Sequence, residues 1–291
     1  MPKPPKKEPA KKMAARHKSK HETILGKHPT GNNFGNFTSY SDVITAKGVT
    51  HRELSLSDAN VNTAVQELRL ALIQHHASAE MIARDNKKIA SLQNLGYTFD
   101  DANVQRFPTH SDTQKGNLTE VFLAEYICAS SEAELPVYRL RHNPNVEQSM
   151  KGDDVLAFDF RSQKPRIIIG EAKFRGTPSK VAVEEIINGL NSSYQGGLPA
   201  SLQFVADRLY ESGNNVLADQ VESCALHMTN GNLDLNYVGI LLSNQNSANP
   251  INTHADSNIR ELVMISLAVS KPIDLVNACF NGIEEEAHGN P

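Results

Sequence analysis

The sequence predicts an α/β protein in which a mixed sheet is flanked by helices and preceded by an N-terminal helical region. Three observations predict it. Residues 166–174 form an apolar run with three consecutive isoleucines, helical periodicity recurs on both sides of that run, and strand-like and helix-like segments alternate over the last 180 residues. With 291 residues and 39% hydrophobic side chains, the chain is long enough to bury a sizeable core.

Charge is distributed unevenly along the chain. Residues 1–20 hold eight Lys/Arg against one acid, which leaves 21 Lys/Arg and 32 Asp/Glu for the remainder, a net charge of -11. We predict that residues 1–22 are a disordered basic tail, because they offer almost nothing to bury. Such a tail either holds nucleic acid phosphates without reading sequence or only keeps the protein soluble.

Residues 23–112 are predicted to form a mainly helical region. Residues 26–50 are rich in Gly, Asn and Thr, which indicates a loop with at most one strand. A helix is expected from Ser57, and a second one spans about residues 78–95 and ends at Gly96. The short connection between these helices is typical of a helical hairpin.

Residues 113–291 are predicted to form the second domain. A helix is expected at about residues 117–129 after the polar segment 107–116. The predicted strands are residues 137–141, 155–160, 166–173, 237–242 and 261–269. The predicted helices are residues 180–190, 199–211, 216–228 and 273–287.

Several classes of protein are excluded by missing patterns. The three cysteines match no disulfide framework or zinc pattern, so we expect a reducing compartment, the cytoplasm. No apolar run reaches the roughly 18 residues that a membrane span needs, and no apolar signal segment follows the basic N-terminus. The Gly-x-Ser-x-Gly and Gly-x-x-x-x-Gly-Lys-Ser/Thr motifs are missing, so neither a hydrolase nucleophile elbow nor an NTPase loop is expected.

The strand at residues 166–174 carries the chemistry. Its isoleucines suit a strand that is buried on both faces. Two-residue alternation puts Glu171 and Lys173 on one face, where the apolar run ends. The end of a strand in an α/β sheet is a common position for a ligand site. The plainer interpretation of Glu171 and Lys173 is an ion pair at the edge of the sheet.

Two further acids are expected nearby. Asp153 and Asp154 open the strand at 155–160, and a hairpin between the two strands would bring one of them beside Glu171. Clustered carboxylates repel one another unless a divalent cation lies between them, and an oxygen-rich site suits Mg²⁺ or Mn²⁺. Glu120, on the preceding helix, could complete the site directly or through water.

An Asp followed by Glu-x-Lys at the end of a hydrophobic strand resembles the PD-(D/E)XK phosphodiesterase superfamily. The resemblance implies a restriction-endonuclease-like domain and metal-dependent cleavage of nucleic acid. It implies that Asp154, Glu171 and Glu120 bind the metal and that Lys173 positions or activates the attacking water. The superfamily's Pro before the Asp is replaced here by Gly152-Asp153, which leaves open which aspartate is the ligand; Asp154 is favoured because it abuts the strand.

A narrower resemblance rests on Gly116-x-x-x-Glu120, Gly152-Asp-Asp154 and the segment that starts at Gly170 and ends at Arg175. This order is similar to the HamA family of nuclease subunits in the Hachiman antiphage defence system. The resemblance implies a Mg²⁺-dependent deoxyribonuclease, controlled by a helicase partner of the HamB kind. The alternative is a non-catalytic scaffold or DNA-binding subunit of a helicase complex. One metal ion or two, and DNA or RNA as substrate, are both compatible with these residues.

Overall fold

The computed structural model of the protein describes residues 19–99 and 102–289. Residues 1–18, most of the predicted basic tail, lie outside the described residues. The end of that predicted tail is helical, because helix α1 spans Lys20–Ile24. The Ser19 hydroxyl accepts a hydrogen bond from the Glu22 amide, at 3.2 Å, and so caps this helix. The prediction of disorder up to residue 22 was therefore wrong for residues 20–22.

The described residues form six strands and ten α-helices. The strands are β1 (Ser39–Ile44), β2 (Thr50–Leu56), β3 (Val155–Asp159), β4 (Arg166–Phe174), β5 (Asp234–Ser243) and β6 (Leu262–Val269). The helices are α1, α2 (Val61–His76), α3 (Ala79–Gln93), α4 (Ser111–Ser131), α5 (Lys180–Gly196), α6 (Leu202–Glu211), α7 (Asn215–Thr229), α8 (Ala248–His254), α9 (Pro272–Phe280) and α10 (Ile283–Ala287).

The strands form one mixed sheet in the order β1-β2-β6-β5-β4-β3. The four central strands run parallel, and both edge strands are antiparallel to their neighbours. The carboxyl ends of β2, β6, β5 and β4 therefore lie along one edge of the sheet. The predicted α/β class and the mixed sheet flanked by helices are confirmed.

Helices cover both faces of the sheet, which explains the unbroken apolar run of β4. Ile168 packs into a core with α2, α4 and α9, whereas Ile167 and Ile169 pack into a second core with α5, α6 and α7. All three isoleucine side chains are buried. Alternation along a strand sends neighbouring side chains to opposite faces, so each face of β4 contributes to a different core.

The N-terminal region contributes strands as well as helices. Residues 39–56 form β1 and β2, where at most one strand was predicted, and β2 pairs with β6 in the common sheet. The side chains of β1 are largely exposed because it is an edge strand. The predicted boundary after residue 112 does not separate two cores, since Leu68 of α2 and Phe122 of α4 belong to the same buried cluster.

Two predicted elements of the C-terminal part were wrong. Residues 137–141 were predicted as a strand, but Arg139–His142 is a short 3-10 helix. Shortly before it, Glu134 forms an isolated antiparallel bridge with Phe158 of β3. Pro136 has no amide hydrogen to donate to a continued ladder. The predicted helix 273–287 is two helices, broken at Gly282, which has a φ of +67°.

Helix α4 begins at Ser111, earlier than predicted, and includes Gly116. Its apolar residues are buried between the sheet and α2. Among the described residues, none of the helices combines the length and apolar character that crossing a lipid bilayer requires.

Candidate active site

The hairpin of β3 and β4 brings the first predicted carboxylates together. Val155 pairs with Gly170, which places Asp154 at the level of the Glu-x-Lys segment. The Ala172 amide donates a hydrogen bond of 2.8 Å to Asp154 Oδ2. The predicted hairpin is thus present, and a main-chain donor of β4 fixes the Asp154 carboxylate beside Glu171.

Glu171 and Lys173 lie on the same face of β4, as their spacing predicts. Lys173 Nζ lies 2.5 Å from Glu171 Oε1. The Glu171 carboxylate packs against Gly189 of α5: a Cβ atom at this glycine would lie 2.7 Å from Glu171 Cδ. Glycine in a helix interior costs about 1 kcal/mol relative to alanine. Glycine at position 189 offsets this cost locally, because it leaves room for the Glu171 carboxylate.

Glu120 approaches from α4 and is joined to Asp154 through an arginine. Arg139 Nη1 lies 3.5 Å from Glu120 Oε1 and 3.6 Å from Asp154 Oδ1. Only 12% of the Glu120 side chain and 13% of the Arg139 side chain are exposed, so this pairing is largely shielded from solvent. Arg139 is not among the predicted site residues, because residues 137–141 were predicted to form a strand.

The two adjacent aspartates have different environments. Asp153 is buried; its carboxylate accepts hydrogen bonds from the Ser201 amide at 3.0 Å and from the Ser193 hydroxyl. The Ser201 hydroxyl in turn accepts from the Asp153 amide at 2.9 Å. Asp153 thus anchors the turn against the start of α6, whereas Asp154 is directed towards the Glu-x-Lys segment.

Glycine is needed directly before these aspartates. Gly152 has a φ of +111°, which side chains of L residues rarely adopt, and a Cβ atom there would lie 2.6 Å from Ser201 Oγ. The sequence signal was present in the Gly-Asp-Asp segment, but the hydrogen bonds of Asp153 depend on residues about 40 and 48 positions further along the chain.

All four predicted site residues border one open cavity of about 900 Å³ beside the carboxyl end of β4. Polar and charged side chains dominate its wall. The lining includes Asp112, Lys115, Asn117, Glu120, Ser149, Lys151, Asp154, Glu171, Lys173 and Arg175. The cavity is therefore polar and open to solvent beside the carboxylates.

Burial raises the pKa of the three predicted carboxyl groups of the site, Glu120, Asp154 and Glu171. Desolvation raises the pKa of Glu120 to about 8 against the opposing effect of Arg139. Desolvation also raises the pKa of Asp154, although the Ala172 amide lowers it in part. The pKa of Glu171 is raised by desolvation and by the charge of Asp154. In all three groups the largest cause of the raised pKa is desolvation, which disfavours the ionised carboxylate.

The neighbouring carboxylates favour the charged form of Lys173. Burial alone would lower its pKa, but the hydrogen bond to Glu171 and the charges of Glu171 and Asp154 outweigh that effect, and its pKa is raised. Lys173 therefore carries its positive charge at neutral pH and remains a hydrogen-bond donor.

The donor chemistry fits a hard divalent cation. Asp154 and Glu171 supply carboxylate oxygens in the wall of an open cavity, and Mg²⁺ typically uses one or two carboxylates plus waters. Within residues 19–99 and 102–289, no three His, Cys, Asp or Glu side chains are grouped so that they could hold a metal ion. Arg139 lies between Glu120 and Asp154, so direct ligation by Glu120 stays a prediction.

Two basic residues beyond the Glu-x-Lys segment have partners. Arg175 borders the cavity and pairs with Glu185 of α5 through its Nη2 atom. Lys180 lies at the start of α5 and pairs with Glu184 at 3.2 Å, with 60% of its side chain exposed.

The fold and the site define a class: an α/β protein with a nuclease-like fold and a carboxylate and lysine cluster where its central strand ends. The model of the HamA family matches residues 32–283. The chain is 32% identical to the Hachiman protein HamA of Bacillus cereus over 263 residues, which is 90% of this chain and 95% of that protein. The chain belongs to the HamA family. Membership supports a role in the Hachiman antiphage defence system.

Proposed function

We propose that this protein is a metal-dependent nuclease that hydrolyses phosphodiester bonds of DNA as the effector of its defence system. The observation that carries the proposal is the side-by-side position of Asp154 and Glu171, with Lys173 Nζ 2.5 Å from Glu171, on the wall of an open cavity. If Glu171 and Lys173 were only an exposed ion pair at the sheet edge, the pair would not need the Asp154 carboxylate beside it. Burying a further carboxylate next to the pair costs free energy, so a purely structural pair does not explain its presence.

Asp154 and Glu171 are the residues that would hold Mg²⁺ or Mn²⁺. The ion supplies a lowered pKa for a bound water and neutralises charge on the phosphate oxygens. The Ala172 amide orients Asp154 towards Glu171, and Gly189 leaves room for the Glu171 carboxylate. This arrangement holds Glu171 within β4 and Asp154 directly before the first residue of β3.

Lys173 is the second functional group of the site. Its ammonium is a compact point charge with three donors, so it can contact Glu171 and still donate to a water or to a phosphate oxygen. The side chain is 28% exposed, on the side of the cavity. Lys173 would therefore orient the attacking water and stabilise the charge that develops on the phosphate.

A helicase partner of the HamB kind would control the nuclease. Family membership implies a partner protein in the same system. The net charge of -11 outside the basic segment opposes long-range attraction of DNA, so delivery of DNA by a partner would compensate. The chain carries no Gly-x-x-x-x-Gly-Lys-Ser/Thr loop, and an NTP-driven step would fall to that partner.

The test is degradation of supercoiled plasmid in Mg²⁺ and in EDTA, with and without the partner protein. We expect cleavage only with Mg²⁺, and a loss of at least about 100-fold for Glu171→Gln and for Lys173→Ala. Lys164→Ala and Asp234→Asn are matched controls. They break an ion pair of the same length, 2.5 Å, near the opposite end of β4, and should cleave like the wild type. Equal cleavage by Glu171→Gln and the wild type would refute the proposal.

A second candidate is a non-catalytic subunit that keeps the fold and binds DNA or a helicase. The position of Arg139 favours it, because this cation already neutralises part of the Glu120 and Asp154 charge. Under this alternative the wild type would remain inactive with Mg²⁺, with the partner and with DNA. Plasmid cleavage that is lost in Glu171→Gln would exclude it.

A further inference from the structure

Arg139 is a built-in component of the site rather than a surface charge. Its guanidinium donates to the main-chain carbonyl of Asp153 at 2.6 Å and to that of Met150 at 3.0 Å. These bonds join it to the segment that leads into Asp154. Because a guanidinium keeps its charge at any physiological pH, a permanent cation is fixed at this position.

The same guanidinium bridges two carboxylates of the site. Arg139 Nη1 lies 3.5 Å from Glu120 Oε1 and 3.6 Å from Asp154 Oδ1. A Mg²⁺ ion binds its oxygen ligands at about 2.0 to 2.1 Å. An ion that bridged these two carboxylates would need the space where Arg139 lies. Displacing Arg139 would also break its bonds to the carbonyls of Asp153 and Met150, which would then lack this donor.

We infer that Arg139 occupies the place of a second cation, so that the site binds one divalent ion, through Asp154 and Glu171. The inference rests on the proposed metal-dependent function and adds the number of ions to it. Glu120 is then the partner of Arg139 and not a metal ligand, which departs from the assignment that the family resemblance implies. Arg139 acts through the carboxylates that it neutralises, so it is a positioning residue.

The experiment counts Mn²⁺ ions bound per chain, by electron paramagnetic resonance of free Mn²⁺ during titration of the metal-free protein at high KCl. We expect one ion for the wild type and for Arg139→Lys, which keeps the charge. We expect two ions for Arg139→Gln, which keeps hydrogen-bond donors but not the charge. Lys164→Ala is the matched control for loss of a cation elsewhere and should bind one ion.

Each outcome bears on the inference. Two ions in the wild type, or one ion in a folded Arg139→Gln, would overturn it and leave the proposed nuclease function standing. Loss of Mn²⁺ binding in Glu171→Gln is expected, whereas a wild type that binds no Mn²⁺ would overturn both the function and the inference. If Arg139→Gln does not fold, the wild type saturated with Mn²⁺ is tested instead for spin coupling between two bound ions. Coupling would overturn the single-ion site, and its absence at saturation would support the single-ion site.

Discussion

The substitution Gly189→Ala tests whether helix α5 leaves space for the Glu171 carboxylate. Gly189 lies in the interior of α5 (Lys180–Gly196), where alanine is normally the better residue. The added Cβ atom would lie 2.7 Å from Glu171 Cδ, 2.8 Å from Oε2 and 3.0 Å from Oε1. All three atoms belong to the carboxylate that we assign to metal binding, so the substitution perturbs the site without removing any functional group.

The expected effect on stability and the expected effect on function have opposite signs. Alanine in place of a helix glycine adds about 1 kcal/mol of stability. Carbon atoms pack without strain at about 3.5 to 4.0 Å, so the carboxyl group of Glu171 must retreat by about 1 Å. The end of a glutamate side chain can make this movement at little cost to folding. A displacement of about 1 Å at a reacting centre typically costs about 100-fold in rate.

The assays are thermal unfolding, Mn²⁺ affinity and plasmid cleavage, measured on Gly189→Ala and on Gly196→Ala. Gly196 ends the same helix and has no atom within 4 Å of an added Cβ, so it controls for helix propensity alone. We expect both variants to be folded, with Mn²⁺ affinity lowered about tenfold in Gly189→Ala, equal to about 1.4 kcal/mol. Cleavage should fall about 100-fold in Gly189→Ala only. Wild-type affinity and cleavage in a folded Gly189→Ala would refute the reasoning.

Three further predictions concern stability. Desolvation lowers the pKa of buried His76 from 6.5 to about 4, so the unfolded chain takes up the proton first as the pH falls. Between pH 7 and pH 5 the free energy of unfolding, measured in urea, should therefore fall by about 2 kcal/mol more in the wild type than in His76→Gln. Equal losses would contradict this. Arg52 is fully buried and donates to both carboxylate oxygens of Asp42, at 2.7 and 2.9 Å. Asp42→Asn should therefore lower the free energy of unfolding by about 3 kcal/mol, and a change under about 1 kcal/mol would count against this prediction. Gly152→Ala should lower the free energy of unfolding by about 1 to 3 kcal/mol, because the φ of Gly152 is +111° and the added Cβ would meet Ser201. Urea unfolding measures this loss, and an unchanged midpoint would contradict the prediction.

The centre of the site could be predicted because its signals are local. Two-residue alternation follows from strand geometry, so Glu171 and Lys173 had to share a face once residues 166–174 formed a strand. The polar segment before Arg166 suggested the hairpin, and the observed pairing of Val155 with Gly170 places Asp154 where that hairpin predicts. No tertiary contact was needed for these three assignments.

Strands β1 and β2 were harder to predict because their side chains do not follow the usual hydrophobic alternation. In β2 the polar His51 and Arg52 are fully buried, and their partners come from distant positions. His51 bonds to Ser266 of β6 at 2.9 Å, and Arg52 bonds to Asp42 of β1. A buried polar residue with a satisfied partner cannot be distinguished from an exposed one by sequence pattern alone.

The sequence by itself determined the central strand, the acids and lysine at its end, and the hairpin that joins them. Only the tertiary structure decided that Arg139 lies between Glu120 and Asp154, that Gly189 makes room for Glu171, and that Asp153 is the anchoring aspartate. The physical reason is the range of the interactions. Strand alternation is set by neighbouring residues, whereas these three contacts join segments that meet only when both faces of the sheet are covered by helices.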